Sequence, residues 1–89
     1  MESYKVFIKP SAVKELEAIP QKKIRQQIVN RIQALSKDPR PPGTKKLSGH
    51  DCYRVRHGVH RVVYAVDDNA GAVTVVKVGH RKDIYRGAL

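Results

Sequence analysis

The stretch 53–66 constrains the fold most strongly, because its pattern predicts a β-hairpin with a single register. Two strand-like runs flank Gly58-Val59; the first alternates apolar and basic residues, and the second is β-branched and aromatic. A Gly-X pair between two such runs is typical of a two-residue primed turn. In that register Arg56 lies directly opposite Arg61.

The predicted pairing of Arg56 with Arg61 is unfavourable for stability. Like charges directly opposite each other on paired strands repel and destabilise the sheet. No acidic residue occurs between Asp51 and Asp67, while Arg54, Arg56 and Arg61 all fall in that interval. The pair therefore indicates part of a site for an anion, since a sequence serving stability alone would avoid it.

Hydrophobic spacing predicts the elements around the hairpin. Residues 4–8 and 72–80 are strand-like. Between Pro10 and Asp38, two helices separated by Pro20 each carry one apolar face at helical spacing. These faces consist of Ala12, Val13, Leu16 and Ile19 in the first helix and Ile24, Ile28, Ile32 and Leu35 in the second.

This pattern predicts one α+β domain over residues 1–89, with the order β-α-α-β-β-β. An antiparallel sheet is expected to pack one face on the αα-hairpin, and a short C-terminal tail or helical turn follows at 83–86. A chain of 89 residues can bury one modest core. The length is therefore enough for one domain and no more.

Chain geometry predicts that several arginines gather at one end of the sheet. Arg54, Arg56 and Arg61 share a face by strand alternation. Arg81 follows the last strand, whose end lies beside the start of the middle strand in an antiparallel meander. The longer turn before the last strand leaves its register open. One register brings Arg81 and Lys77 to the arginine face, and a slip of one residue brings His80 there instead.

The charge of the chain indicates a polyanionic or acidic partner. Lysine and arginine number 18 against 8 acidic residues, a formal net charge of +10. Cys52 is the only cysteine, so no intramolecular disulfide can form, and no Cys/His spacing matches a zinc site. We expect no cofactor, no metal and no membrane segment, and we expect a cytoplasmic protein.

Clustered guanidinium groups are suited to binding phosphate. Arginine presents a fork of donors that matches two phosphate oxygens, and it keeps its charge at physiological pH. Tyr85 follows Arg81 by four residues, so an aromatic ring could reach the same pocket. Arginines beside an aromatic ring favour single-stranded RNA over a nucleotide cofactor. The lysines expected to bind RNA around this cluster are Lys45, Lys46, Lys77 and Lys82.

At these residues the chain resembles the RelE/ParE toxin superfamily, in particular the RelE-like mRNA interferases of toxin–antitoxin systems. The resemblance extends over nearly the whole chain and includes the order of elements. It is strongest in four segments, at residues 46–49, 51–56, 60–64 and 78–85. It implies the fold of a microbial ribonuclease that enters the ribosomal A site and cleaves mRNA without a metal.

The resemblance also implies roles for individual residues. The ribose 2′-hydroxyl attacks the adjacent phosphate in such toxins, which leaves a cyclic phosphate and a 5′-hydroxyl. Arg61 and Arg81 match arginines that hold the phosphate, and the latter position is also proposed as the general acid. Tyr85 matches a tyrosine that stacks on or orients the base. Lys46 matches a nearby basic residue.

Arginine at positions 54 and 56 departs from the family pattern, which has lysines there. One of those lysines is implicated as general base or phosphate ligand. Arginine stays protonated at physiological pH and is therefore a poor general base near neutral pH. The base is then Tyr85, a nearby histidine or a group of the ribosomal RNA. Alternatively, catalysis depends mainly on electrostatic stabilisation and on holding the 2′-hydroxyl in line.

Three functions remain open at this point. The first is a ribosome-dependent endoribonuclease toxin, and the second is a ParE-like toxin that poisons gyrase by binding. The third is an RNA- or ribosome-binding module without toxicity. The resemblance and the charge together imply an acidic RelB-like antitoxin that forms a hetero-oligomeric complex, with the ribosome and mRNA as further partners.

Overall fold

A computed structural model describes residues 3–47 and 52–84 of the chain. Its elements follow the predicted order, with one addition. They are β1 (Lys5–Ile8), α1 (Pro10–Glu17), α2 (Lys22–Ala34), β2 (Lys45–Lys46), β3 (Cys52–His57), β4 (His60–Asp67) and β5 (Ala72–His80). The two-residue strand β2 was not predicted, because it is too short to show alternation.

The strands form one five-stranded sheet with the order β1-β5-β4-β3-β2. The central strands β3, β4 and β5 are antiparallel neighbours, as predicted. The expectation of an entirely antiparallel sheet needs a correction, since β1 pairs with β5 in parallel. The αα-hairpin after β1 carries the chain across the sheet, which allows the first and last strands to run in the same direction.

The two helices cover one face of the sheet and form the core with it. Pro10 begins α1 at a position where a missing N–H costs no helical hydrogen bond. From α1 and the residues after it, Ala12, Leu16 and Ile19 are buried; from α2 and the residue after it, Ile28, Ile32 and Leu35 are buried. Val13 was expected on this apolar face, but it is exposed. Its position on α1 lies beside the buried stripe instead of within it.

The sheet contributes alternate residues of its central strands to the same core. These are Val55 from β3, Val62 and Tyr64 from β4, and Val73, Val75 and Val78 from β5. Their neighbours along each strand point to the opposite side, which we call the open face. The αα-hairpin therefore leaves the arginine side of the sheet uncovered. Neither α1 nor α2, the helices described in residues 3–47 and 52–84, has the length and hydropathy of a membrane-spanning segment.

The β3–β4 turn has the geometry that its sequence predicts. Gly58 has a φ of 59°, and no non-glycine residue described in the structure has a positive φ. This matches glycine at the first central position of a type II′ turn, with Val59 at the second. The turn sets the hairpin register, in which Arg56 pairs with Arg61 and His57 pairs with His60.

Gly58→Ala is expected to destabilise the protein by at least about 1 kcal/mol, because alanine is strained at a positive φ. A Cβ at this position would meet no atom within 4 Å, so strain and not a clash is the cause. Urea denaturation measures the loss. Val59→Ala in the same turn is the control and should change stability by less than about 0.5 kcal/mol. Equal stability of the glycine and alanine forms would contradict this account of the turn.

Candidate functional site: a cationic patch on the open face

Two neighbouring rows of basic residues cross the open face. In the first row, Arg56 of β3 lies opposite Arg61 of β4, which in turn lies opposite Gly79 of β5. The second row, two residues further from the turn, joins four strands. It consists of Lys45, Arg54, Val63 and Lys77. The open face thus carries five cationic residues in adjacent positions, which we call the patch: Lys45, Arg54, Arg56, Arg61 and Lys77.

Arg61 is the most buried charged residue of the patch, with 8% of its surface exposed. Its Nη1 donates hydrogen bonds to the carbonyl oxygens of Gly58 (3.0 Å) and His60 (2.9 Å). One guanidinium nitrogen thus ties down the turn that sets the register. The strand pattern predicted the face of Arg61 but not this structural task. We infer that Arg61 combines turn stabilisation with any role in phosphate binding.

Arg56 and Arg81 are the exposed arginines at this end of the sheet. The backbone N–H of Arg81 donates to the carbonyl oxygen of Val59 at 2.7 Å. This bond brings the start of the C-terminal segment beside the β3–β4 turn. Within the described residues, neither arginine pairs with a carboxylate. Both are therefore available to a bound anion.

Arg54 is half-buried and also forms no ion pair within residues 3–47 and 52–84. Its Nε–H is buried and has no hydrogen-bond partner there. A buried donor without a partner is costly, at roughly 1–3 kcal/mol. Such a donor beside other cations indicates an anion-binding position.

The lysines predicted to bind RNA do not all lie on this face. Lys45 is exposed opposite Arg54, whereas Lys46 lies opposite Tyr53 and hence on the helix side of β2. Lys77 is half-buried on the open face, opposite Val63. Lys82 is exposed in the turn after β5. Only Lys46 is thus directed away from the patch by its register.

A short turn after β5 covers part of the open face. The backbone N–H groups of Asp83 and Ile84 both donate to the carbonyl oxygen of His80, at 2.8 and 2.9 Å. Ile84 is fully buried, and its Cδ1 lies 3.4 Å from where a Cβ on Gly79 would stand. Glycine in a strand interior often marks such a close approach. Ile84 therefore anchors the segment that carries Arg81.

Sequence reasoning missed this anchor, although Gly79 was a usable signal. The predicted helical turn at 83–86 overlaps the observed turn at 81–84. Val63 is another sign of the cover, since it is fully buried although its register places it on the open face. Tyr85, which was predicted to reach the pocket, lies outside the described residues.

Three histidines form a row on the other face of the sheet, against the helices. His57, His60 and His80 occupy directly opposed positions on β3, β4 and β5. His57 Nε2 donates to Oε1 of Gln27 on α2 at 2.9 Å, and the rings of His60 and His80 meet edge to face at 6.1 Å. The register of β5 thus puts Lys77 on the open face and turns His80 away from it. No described histidine lies among the arginines.

Stability is expected to fall as the pH drops from about 7 to about 5. Burial lowers the pKa of His60, and His80, His57 and Arg61 lower it further by charge repulsion. The folded state therefore favours neutral imidazole, while the unfolded chain protonates near pH 6.5. The His60 contribution is complete above that value and is lost as the pH falls toward the lower folded pKa. Urea midpoints measured across this range test the slope.

His60→Gln should flatten this pH dependence, because it removes the group whose pKa is lowered. Asp68 provides an internal comparison: hydrogen bonds from Arg40 and Tyr4 lower the pKa of its carboxyl group. Its contribution is lost only at more acidic pH, below the ordinary value for aspartate. An unchanged slope in His60→Gln would show that another group controls stability near pH 6.

Asp68 is an acidic residue at the end of the sheet that lies opposite the β3–β4 turn, and its carboxylate is already hydrogen-bonded. Its carboxylate accepts from Nη2 of Arg40 (2.9 Å) and from the Tyr4 hydroxyl (2.7 Å). The Arg40 guanidinium also lies 5.0 Å from the centre of the Tyr53 ring. This cluster joins the loop after α2 to the β4–β5 turn, opposite the β3–β4 turn. The Asp68 carboxylate is thus bound by Arg40 and Tyr4 and not by a residue of the patch.

Comparisons with known proteins agree on one group. The sequence profile described as ParE toxin of type II toxin-antitoxin system, parDE, matches residues 6–85. Toxin RelG of Mycobacterium tuberculosis is 29% identical over 86 residues, which cover 93% of this chain and 97% of that protein. A RelE-like toxin protein of Escherichia coli is 33% identical over 86 residues, with 92% and 90% coverage.

Solved structures show the same fold. The RelBE2 toxin–antitoxin complex of Mycobacterium tuberculosis contains a chain that superimposes with a TM-score of 0.77 at 27% identity, covering 89% of this chain and 99% of that one. The intact Escherichia coli RelBE complex gives a TM-score of 0.75 at 28% identity, with 88% and 96% coverage.

The two-helix, five-stranded fold with its cationic open face defines a toxin of the type II toxin–antitoxin class. Within that class, the chain belongs to the ParE toxin family of the RelE/ParE group. The resemblance found from the sequence segments is confirmed at this level.

Proposed function

We propose that this toxin is a ribosome-dependent endoribonuclease that cleaves mRNA in the A site and thereby stops translation. The observation that carries the proposal is the opposed pair Arg56 and Arg61 at the end of the open face where Arg81 begins the next segment. Directly opposed like charges repel, and a bound anion offsets that repulsion. A scissile phosphate is such an anion, and RelE-like relatives support RNA as its source.

In the proposed reaction the ribose 2′-hydroxyl attacks the adjacent phosphorus, and the bond to the 5′-oxygen of the next nucleotide breaks. The products are a cyclic phosphate and a 5′-hydroxyl; the leaving 5′-oxygen takes its proton from Arg81, the position that the family resemblance implies as general acid. Negative charge grows on the equatorial oxygens of the pentavalent phosphate, where fixed guanidinium groups stabilise it. Arg56 and Arg81 are the exposed candidates for this contact. Arg61 keeps the hairpin turn in position from beneath.

We propose that none of the three histidines in the row accepts the proton of the 2′-hydroxyl. His57, His60 and His80 occupy the helix side of the sheet, so the sheet separates them from the patch. Arginine stays protonated at neutral pH and cannot act as an efficient base. Tyr85 and a group of the ribosomal RNA remain as sources. Holding the 2′-hydroxyl in line can itself supply much of the acceleration.

The proposed protein partner is an acidic RelB-like antitoxin that forms a hetero-oligomer with this chain in the cytoplasm. Chains similar to this one are found in the RelBE2 complex of Mycobacterium tuberculosis and the RelBE complex of Escherichia coli. Phe7 is 53% exposed on the open face, so that face offers apolar as well as cationic surface. Recovery of only free monomer, after co-expression with the neighbouring gene and native purification, would count against this partner.

Mapping the 5′ ends of cellular mRNA shortly after induction tests the nuclease proposal. We expect new 5′ ends at positions in phase with translated codons, and purified protein should cleave mRNA only when ribosomes are present. Lys14→Ala changes an exposed lysine on α1 and is the matched control for loss of positive charge. Intact mRNA in growth-arrested cells would contradict the proposal.

Gyrase poisoning is the second candidate, since the matching family profile is named for the ParE toxin. It predicts gyrase-dependent DNA breaks while mRNA stays intact. The cationic open face would then bind a protein or DNA surface without any chemistry. The two activities are separated by assaying DNA breaks and mRNA ends in the same induced culture.

A further inference from the structure

The second row of the patch repeats the unfavourable arrangement of the first. Lys45 of β2 lies directly opposite Arg54 of β3, so two cations again face each other across paired strands. This pair and the pair of Arg56 with Arg61 are adjacent on the same face. Residues 54 and 56 are two positions apart on one strand, a separation of about 7 Å. The open face therefore holds two neighbouring cation pairs.

Arg54 adds an unsatisfied donor to this second pair. Its Nε–H is buried and has no hydrogen-bond partner within the described residues. Strand β2, which brings Lys45 into position, has only two residues. A two-residue strand whose register sets two cations against each other adds little to stability. An anion lying across Lys45 and Arg54 would offset the repulsion and satisfy the buried donor.

We infer that Lys45 and Arg54 form a second phosphate subsite, which binds the phosphate next to the scissile one on the same RNA strand. The inference rests on the proposed function, in which the first pair holds the scissile phosphate. The separation of the two rows is of the order of one nucleotide of an extended strand. Arg54 thus becomes a positioning residue that fixes the strand, and the reaction takes place at Arg56 and Arg81.

A flanking RNA phosphate fits this row better than a carboxylate of a protein partner. The guanidinium fork pairs with two oxygens of one phosphate, and phosphates recur along RNA at the regular spacing that two adjacent rows require. An acidic segment would need carboxylates at the same regular interval. The two sources are separated by placing the change in the RNA itself.

The experiment uses ribosomes programmed with synthetic mRNA in which a 2′-deoxyribose removes the attacking hydroxyl. One of the two linkages that flank the scissile phosphate is replaced by an uncharged methylphosphonate. Binding of the purified toxin is measured by equilibrium titration. For the wild-type protein, one of the two replacements should weaken binding about tenfold or more, as expected for loss of a charged hydrogen-bonded contact.

Arg54→Gln and Lys45→Gln should each weaken binding to the unmodified mRNA and should no longer respond to the methylphosphonate. Their affinity should also depend less steeply on salt, by about one phosphate contact. Lys46→Gln is the matched control: it lies on the same strand but on the helix side. Whatever its affinity, it should retain the full response to the methylphosphonate.

The outcomes separate the subsite from the proposed function. A methylphosphonate effect of equal size in wild type and Arg54→Gln would overturn the subsite alone. Weaker antitoxin binding by Arg54→Gln, with an unchanged methylphosphonate effect, would assign the row to the protein partner and also overturn it. No binding to programmed ribosomes by the wild type would overturn both. A folded far-ultraviolet spectrum of each variant excludes misfolding as the cause.

Discussion

The double variant Arg56→Ala, Arg81→Ala is expected to lose ribosome-dependent mRNA cleavage by at least about a thousandfold. Loss of one preorganised donor to a developing negative charge costs about a hundred- to a thousandfold in rate. Each single variant should therefore lose about a hundredfold or more. The effects need not add, because both groups act on one phosphate. Single-turnover cleavage on programmed ribosomes gives the rates.

The same variants should remain folded, which is what distinguishes this prediction from general damage. Arg56 and Arg81 are exposed, and within the described residues neither pairs with a carboxylate. Removing Arg56 also relieves the repulsion from Arg61, so Arg56→Ala should gain a few tenths of a kcal/mol. That gain should shrink in high salt. A variant that is more stable but inactive is the expected signature of a functional charge pair.

Two further variants sharpen the interpretation. Arg56→Lys keeps the charge but loses the planar fork, so we expect activity between wild type and alanine. Arg61→Ala is less informative, because Arg61 Nη1 bonds to the carbonyl oxygens of Gly58 and His60 and its loss also disturbs the turn. If the Arg56→Ala, Arg81→Ala double variant cleaves mRNA at the wild-type rate, the assignment of Arg56 and Arg81 to the scissile phosphate is refuted. Lys14→Ala should cleave at the wild-type rate.

Local chemistry made the first arginine row predictable from the sequence. A two-residue Gly-X turn permits one register, and that register places Arg56 against Arg61 without further information. Alternation then assigns Arg54 to the same face. The prediction needs no contact between residues distant in sequence. The structure confirms the register at every pair between β3 and β4, from Cys52 with Ala65 to His57 with His60.

The last strand was less predictable because its register depends on a longer turn and on an irregularity. Pairing between β4 and β5 shifts between Val63 and Tyr64, so one residue of β5 is not matched in the ladder. Such a bulge changes which residues share a face, and no local signal marks its position. The structure resolves the choice that the sequence left open, with Lys77 on the open face and His80 against the helices.

The burial of Arg61 and the parallel pairing of β1 depend on contacts distant in sequence. A strand pattern reports which side a residue faces, not what later covers that side. Ile84 covers part of the open face from beyond the end of β5. Likewise, the choice of β5 as the partner of β1 follows from the path of the αα-hairpin. Residue roles in catalysis depend in addition on RNA that the chain alone does not contain.

Ile84→Ala is expected to lower the cleavage rate about ten- to a hundredfold without unfolding the domain. Ile84 is fully buried, with Cδ1 3.4 Å from the position that a Cβ on Gly79 would take. Truncating a buried isoleucine costs about 2–5 kcal/mol. Because Ile84 anchors a turn and not the main core, the cost should appear as local release of that turn. Arg81 would then lose its fixed position, and small misplacements are costly in rate.

Ile84→Ala should lower the cleavage rate more than the affinity for the ribosome, because the charge of Arg81 is still present. Ile84→Val, which removes one methyl group, should recover most of the activity because such a change costs only about 0.5–1.5 kcal/mol. If Ile84 acts through Arg81, then Ile84→Ala should have little further effect in an Arg81→Ala background. If the rate losses of the two single changes instead multiply in the double variant, Ile84 acts through a group other than Arg81. A fall in the global unfolding midpoint as large as the full cavity cost would instead place Ile84 in the cooperative core.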